Sequence, residues 1–519
     1  MKRAYVIHPF LFALFPILFL FAHNVSFIAV SEILRPVLIS ICFTFLLWLL
    51  LGVIIKNMKK AGLIVSCFLL LFFSYGHVFN LIRDLGLMDI IIGVPQLLLF
   101  FWGIIFIFCL RFIIKTSRNL FNLTNYLNIV AASLIIISLL NIGIYKLKVK
   151  LSPQYENSVQ SQKIDIEAIK RLPDIYYIIL DGYGREDILK DMYNYDNKEF
   201  LEYLTQEGFY IANKSRSNYS QTYLSLASSL HMKYLNELVK KIGTESQNRE
   251  PLFQMIRNNY VIKFLKQYDY KIVVFSDWFR IRDFVRADIQ VKRVDRVREF
   301  EVLIIRTSIL AVILMEVPKL YNRLFRLDYD LHRKRILYPL DHLADITDIE
   351  DPVFVFAHIY CPHPPFIFGE NGEEIQPNRL FATSDGTDFI KAGGTREEYL
   401  EKYPKQLAFI NKRIKATINA ILAKSDSPPV IVLQSDHGPG SMYDVRSIEN
   451  SNINERMSIL NAYYLPGGGY KWLYDEITPV NTFRIIFNHY FGTDYKLLKD
   501  ESYFSTWYRP YKFLKVTIK

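Results

Sequence analysis

Four short stretches of the chain set chemically capable side chains at the ends of apolar runs. SDHGPGS (435–441) follows VIVLQ and puts Asp436 beside His437; LDGYG carries Asp181 directly after IYYIIL. VFVFA runs into His358 and, past a turn, His363 in CPHPPF; YKIVVFS leads to Asp277, Trp278 and Arg280. Singly, an acid before a glycine reads as a turn and a histidine at a strand end as a polar cap. Together, two aspartates and a histidine at the ends of separate strands are a donor set for one divalent ion, such as manganese, zinc or magnesium. Gly438 and Gly440 are expected to let the backbone pass close to that ion.

A fifth stretch, SNYSQTYLSLASSLHM (217–232), spaces Thr222, Ser225 and Ser228 three apart, with Thr222 at the expected start of a helix. A helix N-terminus presents unpaired N–H groups that favour an anionic oxygen. A threonine hydroxyl is a weak nucleophile at neutral pH unless a metal or base helps to remove its proton. The competing reading is a capped helix packed through small residues.

Which elements bring these residues together? IYYIIL (175–180), YKIVVFS (270–276), VFVFAHIY (353–360) and VIVLQ (430–434) read as buried strands. The pieces between them carry helical patterns, NKEFLEYLTQEGF (197–209) and the long run 396–425. Continuous apolar strands alternating with helices predict a largely parallel sheet covered on both faces. Ligands of such a sheet collect beyond the carboxyl ends of its strands, where the first four stretches lie. AGGT (392–395) and PGGGY (466–470) lack the strand-to-helix context of a phosphate loop and read as plain loops.

The first third is of another kind. Apolar runs at Pro9–Val30, Val37–Ile55, Ala61–Phe79, Ile90–Ile114 and Leu127–Ile144 each approach the ~20 residues a membrane-crossing helix needs. Five spans are expected over 1–145, then a linker over 146–172 and a polar domain over 173–519. Lys2, Arg3, Lys56, Lys59, Lys60, Arg111, Lys115 and Arg118 fall on one side of these spans, against Arg35 and Arg83 on the other. The positive-inside bias puts the larger group in the cytoplasm, so five crossings deliver the polar domain outside. Val302–Met315, about fourteen residues with Arg306 inside, is too short and too charged to cross and is expected to be an amphipathic or buried helix.

The net charge of +11 does not indicate nucleic acid: residues 1–150 hold 13 Lys and Arg against 3 Asp and Glu, leaving 49 against 48 elsewhere. Cys42, Cys67 and Cys109 lie in apolar runs and Cys361 is alone in the polar part, which excludes a disulfide framework there and a thiolate zinc site.

LDGYG, the threonine helix, HIYCPHPPF and SDHG, in that order behind a multi-pass anchor, resemble the alkaline phosphatase superfamily. Within it the likeness is to the membrane-anchored sulfatase-domain branch that includes lipoteichoic acid synthases and phosphoethanolamine transferases. The resemblance implies that Asp181, Asp436, His437 and Thr222 bind one metal ion, that Thr222 is the nucleophile, and that His363 contacts the transferred group or leaving oxygen. It implies a substrate-binding role for His358 and for Trp278 and Arg280, whose Trp-x-Arg pattern is similar to the glycerophosphate-binding element of the synthases. True sulfatases convert a cysteine or serine of a C-x-P-S-R motif to formylglycine, and Thr222 offers neither. Asp181 stands where the synthases and ethanolamine transferases use glutamate, and the transferases' disulfides have no counterpart here.

The expectation is a metal-dependent phospho-group transferase or hydrolase of the cell envelope. Its substrate is a lipid-borne head group, and its acceptor an envelope glycan, a lipid or water. The alternatives are a sulfuric or phosphoric ester hydrolase and a non-catalytic envelope-binding protein that keeps the fold.

Overall fold

Strand β1 (Ile175–Leu180) is buried along its whole length because it is paired on both edges. The computed structural model describes residues 5–25, 28, 30–84, 94–151, 172–275, 284, 286–291, 298–315, 318–379 and 381–518. They divide into two units, Met1–Pro153 with Val294–Asp328, and Gln154–Arg293 with Tyr329–Lys519.

The first unit is helical: α1 (His8–His23), α2 (Val30–Ile55), α3 (Met58–Asp84), α4 (Val94–Lys115) and α5 (Phe121–Leu151). α2 to α5 are long and apolar enough to cross a membrane, whereas α1 has 16 residues. At 1.5 Å per residue α1 is about 24 Å long, short of a ~30 Å hydrocarbon core. The predicted run Pro9–Val30 is thus divided, its last residue opening α2. α1 is packed inside the unit, with Phe12 and Ala13 buried against Val65 and Leu69 of α3 and Ala131 of α5. α5 continues to Leu151, into the expected linker, and residues 152–171 lie outside the described residues.

Val302–Met315 does not form one helix. It falls into two, Glu299–Arg306 and Leu310–Met315, interrupted where the Ser308 hydroxyl donates to Ile305 O and Ile309 N–H to Phe72 O. Phe300 joins a cluster with Ile17, Leu20, Phe21 and Ile33, and Val312 one with Tyr75 and Leu98. The expected domain 173–519 is therefore interrupted by an excursion into the helical unit, because these short apolar faces find their partners there. The excursion lies on α3 so closely that a β-carbon at Gly76 would sit 2.5 Å from the Thr307 carbonyl carbon.

In the second unit the other strands are β2 (Tyr210–Ile211), β3 (Lys271–Phe275), β4 (Ile289–Val291), β5 (Val353–Ile359), β6 (Val430–Gln434) and β7 (Asn461–Tyr464). They form one sheet in the order β2-β7-β6-β1-β5-β3-β4, parallel from β6 to β4, with β7 and β2 antiparallel at one edge. Register sets the site: Ile179 is opposite His358 on one side and Gln434 on the other. Asp181 and Asp436 thus both lie two residues beyond the same rung. Ile175, Tyr177 and Ile179 share a core with α6 (Thr222–His231) and α8 (Pro479–Tyr490). Alternation sends Tyr176, Ile178 and Leu180 to the opposite face, which α7 (Arg396–Lys424) covers with buried Leu407, Ile410, Ile414 and Ile418. A two-stranded hairpin, β8 (Ser502–Thr506) and β9 (Arg509–Val516), ends the chain.

Gly76→Ala is expected to force the 307 backbone off α3. Overpacking of this kind costs about 1–3 kcal/mol. A lower Tm of the full-length protein in detergent is the expected outcome, and an unchanged Tm contradicts the packing.

Candidate metal and transfer site

β1 delivers Asp181, fully buried, and the Asp181 N–H continues the ladder to Ile359 O at 3.0 Å. β6 delivers Asp436 and His437, also buried. Asp436 Oδ1 accepts the Gly182 N–H at 3.2 Å, joining the two strand ends, while its Oδ2 accepts nothing. His437 Nδ1 donates to Gly438 O at 2.9 Å, so Nε2 is the ring's acceptor pole. That Nε2 lies 3.5 Å from Asp181 Oδ1, 3.5 Å from Asp436 Oδ2 and 3.2 Å from Thr222 Oγ1. Thr222 is the first residue of α6, where the backbone N–H groups have no intrahelical acceptors. Four of the expected residues therefore converge on one point.

His358 and His363 stand beside this cluster. His358 Nε2 is 3.2 Å from Asp181 Oδ2 with both side chains fully buried, which puts this ring among the carboxylates and away from the surface. His363 Nδ1 donates to Pro364 O at 2.7 Å, its N–H donates to Asp181 O at 3.0 Å, and its ring centroid is 6.1 Å from that of His437. Donor atoms of Asp181, His363 and His437, and separately of Asp181, His358 and Asp436, lie within 4.8 Å of one another. Asp277, Trp278 and Arg280 lie outside the described residues.

The donor set fits a divalent ion. Asp181 Oδ1 and Asp436 Oδ2 are buried without a hydrogen-bond donor, which is costly for carboxylates unless a cation is near. Burial alone would raise the Asp181 carboxyl, but the His363 ring, then His358 and His437, outweigh it and hold this group below the ordinary carboxylate range. Burial lowers the proton affinity of His437, with Arg456 adding to the effect, and so keeps a neutral ring available as a ligand. Ser228 has another task, its hydroxyl donating to Lys233 O at 2.8 Å at the far end of α6.

The glycines of SDHGPGS are explained by protein neighbours and not by an ion. A β-carbon at Gly438 would lie 2.0 Å from Glu455 O, and one at Gly440 2.6 Å from the Asp385 carboxylate. The expected closeness to an ion is corrected accordingly: both positions are small because another loop occupies the space.

Sequence reasoning missed the residues that hold the loops. On α7, Tyr399, Tyr403 and Gln406 share a face at four- and three-residue spacing. Tyr399 accepts the Gly440 N–H at 2.9 Å and donates to Asp385 Oδ1 at 2.9 Å. Tyr403 donates to Gly182 O and accepts the Gly184 N–H. The Gln406 amide donates to Pro362 O and His363 O, both at 3.1 Å, and accepts from Ile367 and Phe368 N–H. From the other side, Glu455 accepts from Ser441 N–H, Ser441 Oγ, Met442 N–H and the Tyr193 hydroxyl. Arg456 donates to Ser220 O at 2.9 Å, Gly438 O at 3.3 Å and Asp385 Oδ2 at 2.5 Å. The one sequence signal was a run of tyrosines and a glutamine on the inward face of an otherwise apolar helix stripe.

No protein-family model matches the chain, and no curated protein sequence matches it. Solved structures with a similar fold include the zinc complex of the C-terminal periplasmic domain of EcEptC from Escherichia coli. That likeness covers 67% of this chain and 94% of that one, at 12% identity and a TM-score of 0.42. The integral membrane protein lipooligosaccharide phosphoethanolamine transferase A (EptA) from Neisseria meningitidis is similar over 91% of this chain and 94% of that one, at 11% identity and a TM-score of 0.37. BT1596, a 2-O GAG sulfatase, covers 63% of this chain and 72% of its own, at 11% identity and a TM-score of 0.40.

Asp385 supplies a pH test. Burial raises its carboxyl, but His363, then Arg456 and His437, lower it below the ordinary 3.8. A carboxyl depressed in the folded state adds stability that is fully present above its unfolded value and is lost as pH falls through the folded one. Asp385→Asn is therefore expected to lower Tm at pH 7, with the gap to the wild type closing below about pH 4. A gap that widens on acidification reverses the sign.

Proposed function

We propose that this protein is a metal-dependent phospho-group transferase or hydrolase of the cell envelope that works through Thr222 on a lipid-borne phosphodiester head group. The observation that carries the reading is Thr222 Oγ1, 3.2 Å from His437 Nε2 and beside the carboxylates of Asp181 and Asp436, of which Asp181 Oδ1 and Asp436 Oδ2 accept no hydrogen bond. Asp181, Asp436, His437 and Thr222 would hold one divalent ion, zinc, manganese or magnesium. Bound there, it would supply Lewis-acid charge that favours the threonine alkoxide.

The chain's own residues account for the rest. The α6 N-terminus directs N–H groups towards the place where negative charge gathers on the phosphoryl oxygens. Thr222 Oγ1 forms the new bond to phosphorus, its proton passing to solvent, while the bond from phosphorus to the lipid oxygen breaks. His363, whose Nδ1–H is held by Pro364 O, serves that departing oxygen in its doubly protonated form, as acid or hydrogen-bond donor through Nε2–H. The acceptor that then frees Thr222 is an envelope hydroxyl or water. His358 is best read as a buried partner that orients Asp181, in place of the expected contact with substrate, given the 3.2 Å between them. Sulfate ester hydrolysis by a formylglycine is disfavoured, because threonine cannot be oxidised to that aldehyde.

The four long apolar helices favour a membrane lipid as donor, since an enzyme for a soluble ester needs only one anchor. Lys56, Lys59 and Lys60 at the α2–α3 turn and Lys115 and Arg118 at the α4–α5 turn support a cytoplasmic side for those turns, and so a second unit outside the cytoplasm.

Full-length protein in detergent, loaded with zinc or manganese and incubated with membrane phospholipids, is expected to carry a mass adduct on the peptide containing Thr222. Thr222→Ala should abolish the adduct, and Asp181→Asn should lower retained metal about 10-fold or more. Absence of both metal and adduct from the wild type contradicts the reading and favours a non-catalytic binding protein.

A further inference from the structure

Asp385 looks at first like an ordinary helix cap. It precedes the six-residue helix Gly386–Lys391, and its side chain accepts the Gly386 N–H at 2.9 Å. A cap needs one such bond, yet this carboxylate has far more. Oδ1 also accepts the Tyr399 hydroxyl at 2.9 Å, Oδ2 accepts Arg456 Nη1 at 2.5 Å, and Oδ2 lies 3.7 Å from His363 Nε2. Only 9% of the Asp385 side chain and 4% of the Arg456 side chain are exposed.

Burying such a pair is a poor way to gain stability, because desolvation offsets the attraction and an apolar pair of the same size would serve as well. What the pair does have is reach. The Arg456 fork holds Ser220 O, two residues ahead of Thr222, and Gly438 O, one residue past His437. Tyr443 lies under the guanidinium, its ring centroid 4.2 Å away. Gly440 has no side chain where one would strike the Asp385 carboxylate, so the loop bearing His437 is cut to accommodate this acid. Across from it, the Nδ1 bond to Pro364 O fixes one edge of His363 and leaves Nε2 as the working pole. The Tyr360 ring, its centroid 4.4 Å from that of His363, supports the imidazole face.

We propose that Asp385 is a positioning residue for the transfer step: clamped by Arg456 and Tyr399, it fixes the direction of His363 Nε2 relative to Thr222. The proposal rests on the reading of Thr222 as nucleophile and His363 as partner of the departing oxygen. Asp385 acts through His363 and touches neither substrate nor ion.

The test uses the full-length protein in detergent with zinc and two probes, bis(p-nitrophenyl) phosphate and diphenyl phosphate. Phenoxide is the poorer leaving group and depends more on help at the departing oxygen. A wild type that forms no Thr222 adduct and turns over neither probe defeats the functional reading, and this inference falls with it. With an active wild type, Asp385→Asn is expected to lower kcat about 10- to 100-fold on diphenyl phosphate. The loss on the nitrophenyl ester should be smaller, with KM and zinc content unchanged. In a His363→Ala background the same substitution should cost nothing more, because residues that act as one unit are not additive. Equal losses on both probes, or a full additional loss in the His363→Ala background, overturn the proposal. Should Asp385→Asn fail to fold, Tyr399→Phe removes one of the bonds that aim the carboxylate while keeping its charge. It should show the same dependence on leaving group, and indifference to the leaving group overturns the proposal by that route.

Discussion

Three loops leaving three strands must be held at one height for their side chains to meet, and a single helix face does this. α7 presents Tyr399, Tyr403 and Gln406 in line, and each bonds the backbone of a different loop, after β6, β1 and β5 respectively. Buried backbone N–H and C=O groups must find partners, and irregular loops cannot supply them to themselves. The polar face of α7 meets that need, and it couples the positions of Asp181, His363 and His437 to one rigid rod. Polar groups in a buried network hold geometry only while all are satisfied, so this face sets where the loops end as well as keeping them folded.

On the opposite side Glu455 and Arg456 are neighbours in sequence with different partners. Glu455 gathers the N–H groups and hydroxyl of Ser441 and Met442, and burial pushes its carboxyl above the ordinary range despite those donors. Arg456 faces Ser220 O, in the turn ahead of Thr222, and Gly438 O, one residue past His437. The SDHGPGS loop is thus held from both sides, by α7 and by this pair, and its two glycines mark where it is squeezed.

The strands and their end residues could be read from sequence because continuous apolar runs are buried strands, and the register of a parallel sheet brings their carboxyl ends level. That is why Asp181, Asp436 and His437, found separately along 257 positions of chain, meet around one imidazole nitrogen, which Thr222 reaches from the first turn of α6. Asp385, Arg456 and the α7 clamp were invisible for the converse reason. Their partners are backbone atoms distant in sequence, and a side chain that bonds a remote carbonyl leaves no local periodicity. The purpose of Gly438 and Gly440 was misjudged on the same ground, since the atoms they avoid belong to residues 455 and 385. The apolar run 302–315 carried the right composition for burial, but no indication that its partners would be α1 to α5.

That excursion bears on how the protein is made. The helical unit takes Val294–Asp328 into its own packing, so it is not finished when α5 leaves the ribosome. Its completion waits until Gln154–Arg293 has been made, a stretch that includes β1, α6 and β3. The two units are interleaved in synthesis, and a soluble fragment cut after α5 would carry Phe300, Leu303, Ile304 and Val312 with nothing to cover them. Dividing this protein at the end of its first helices therefore separates a surface from its other half.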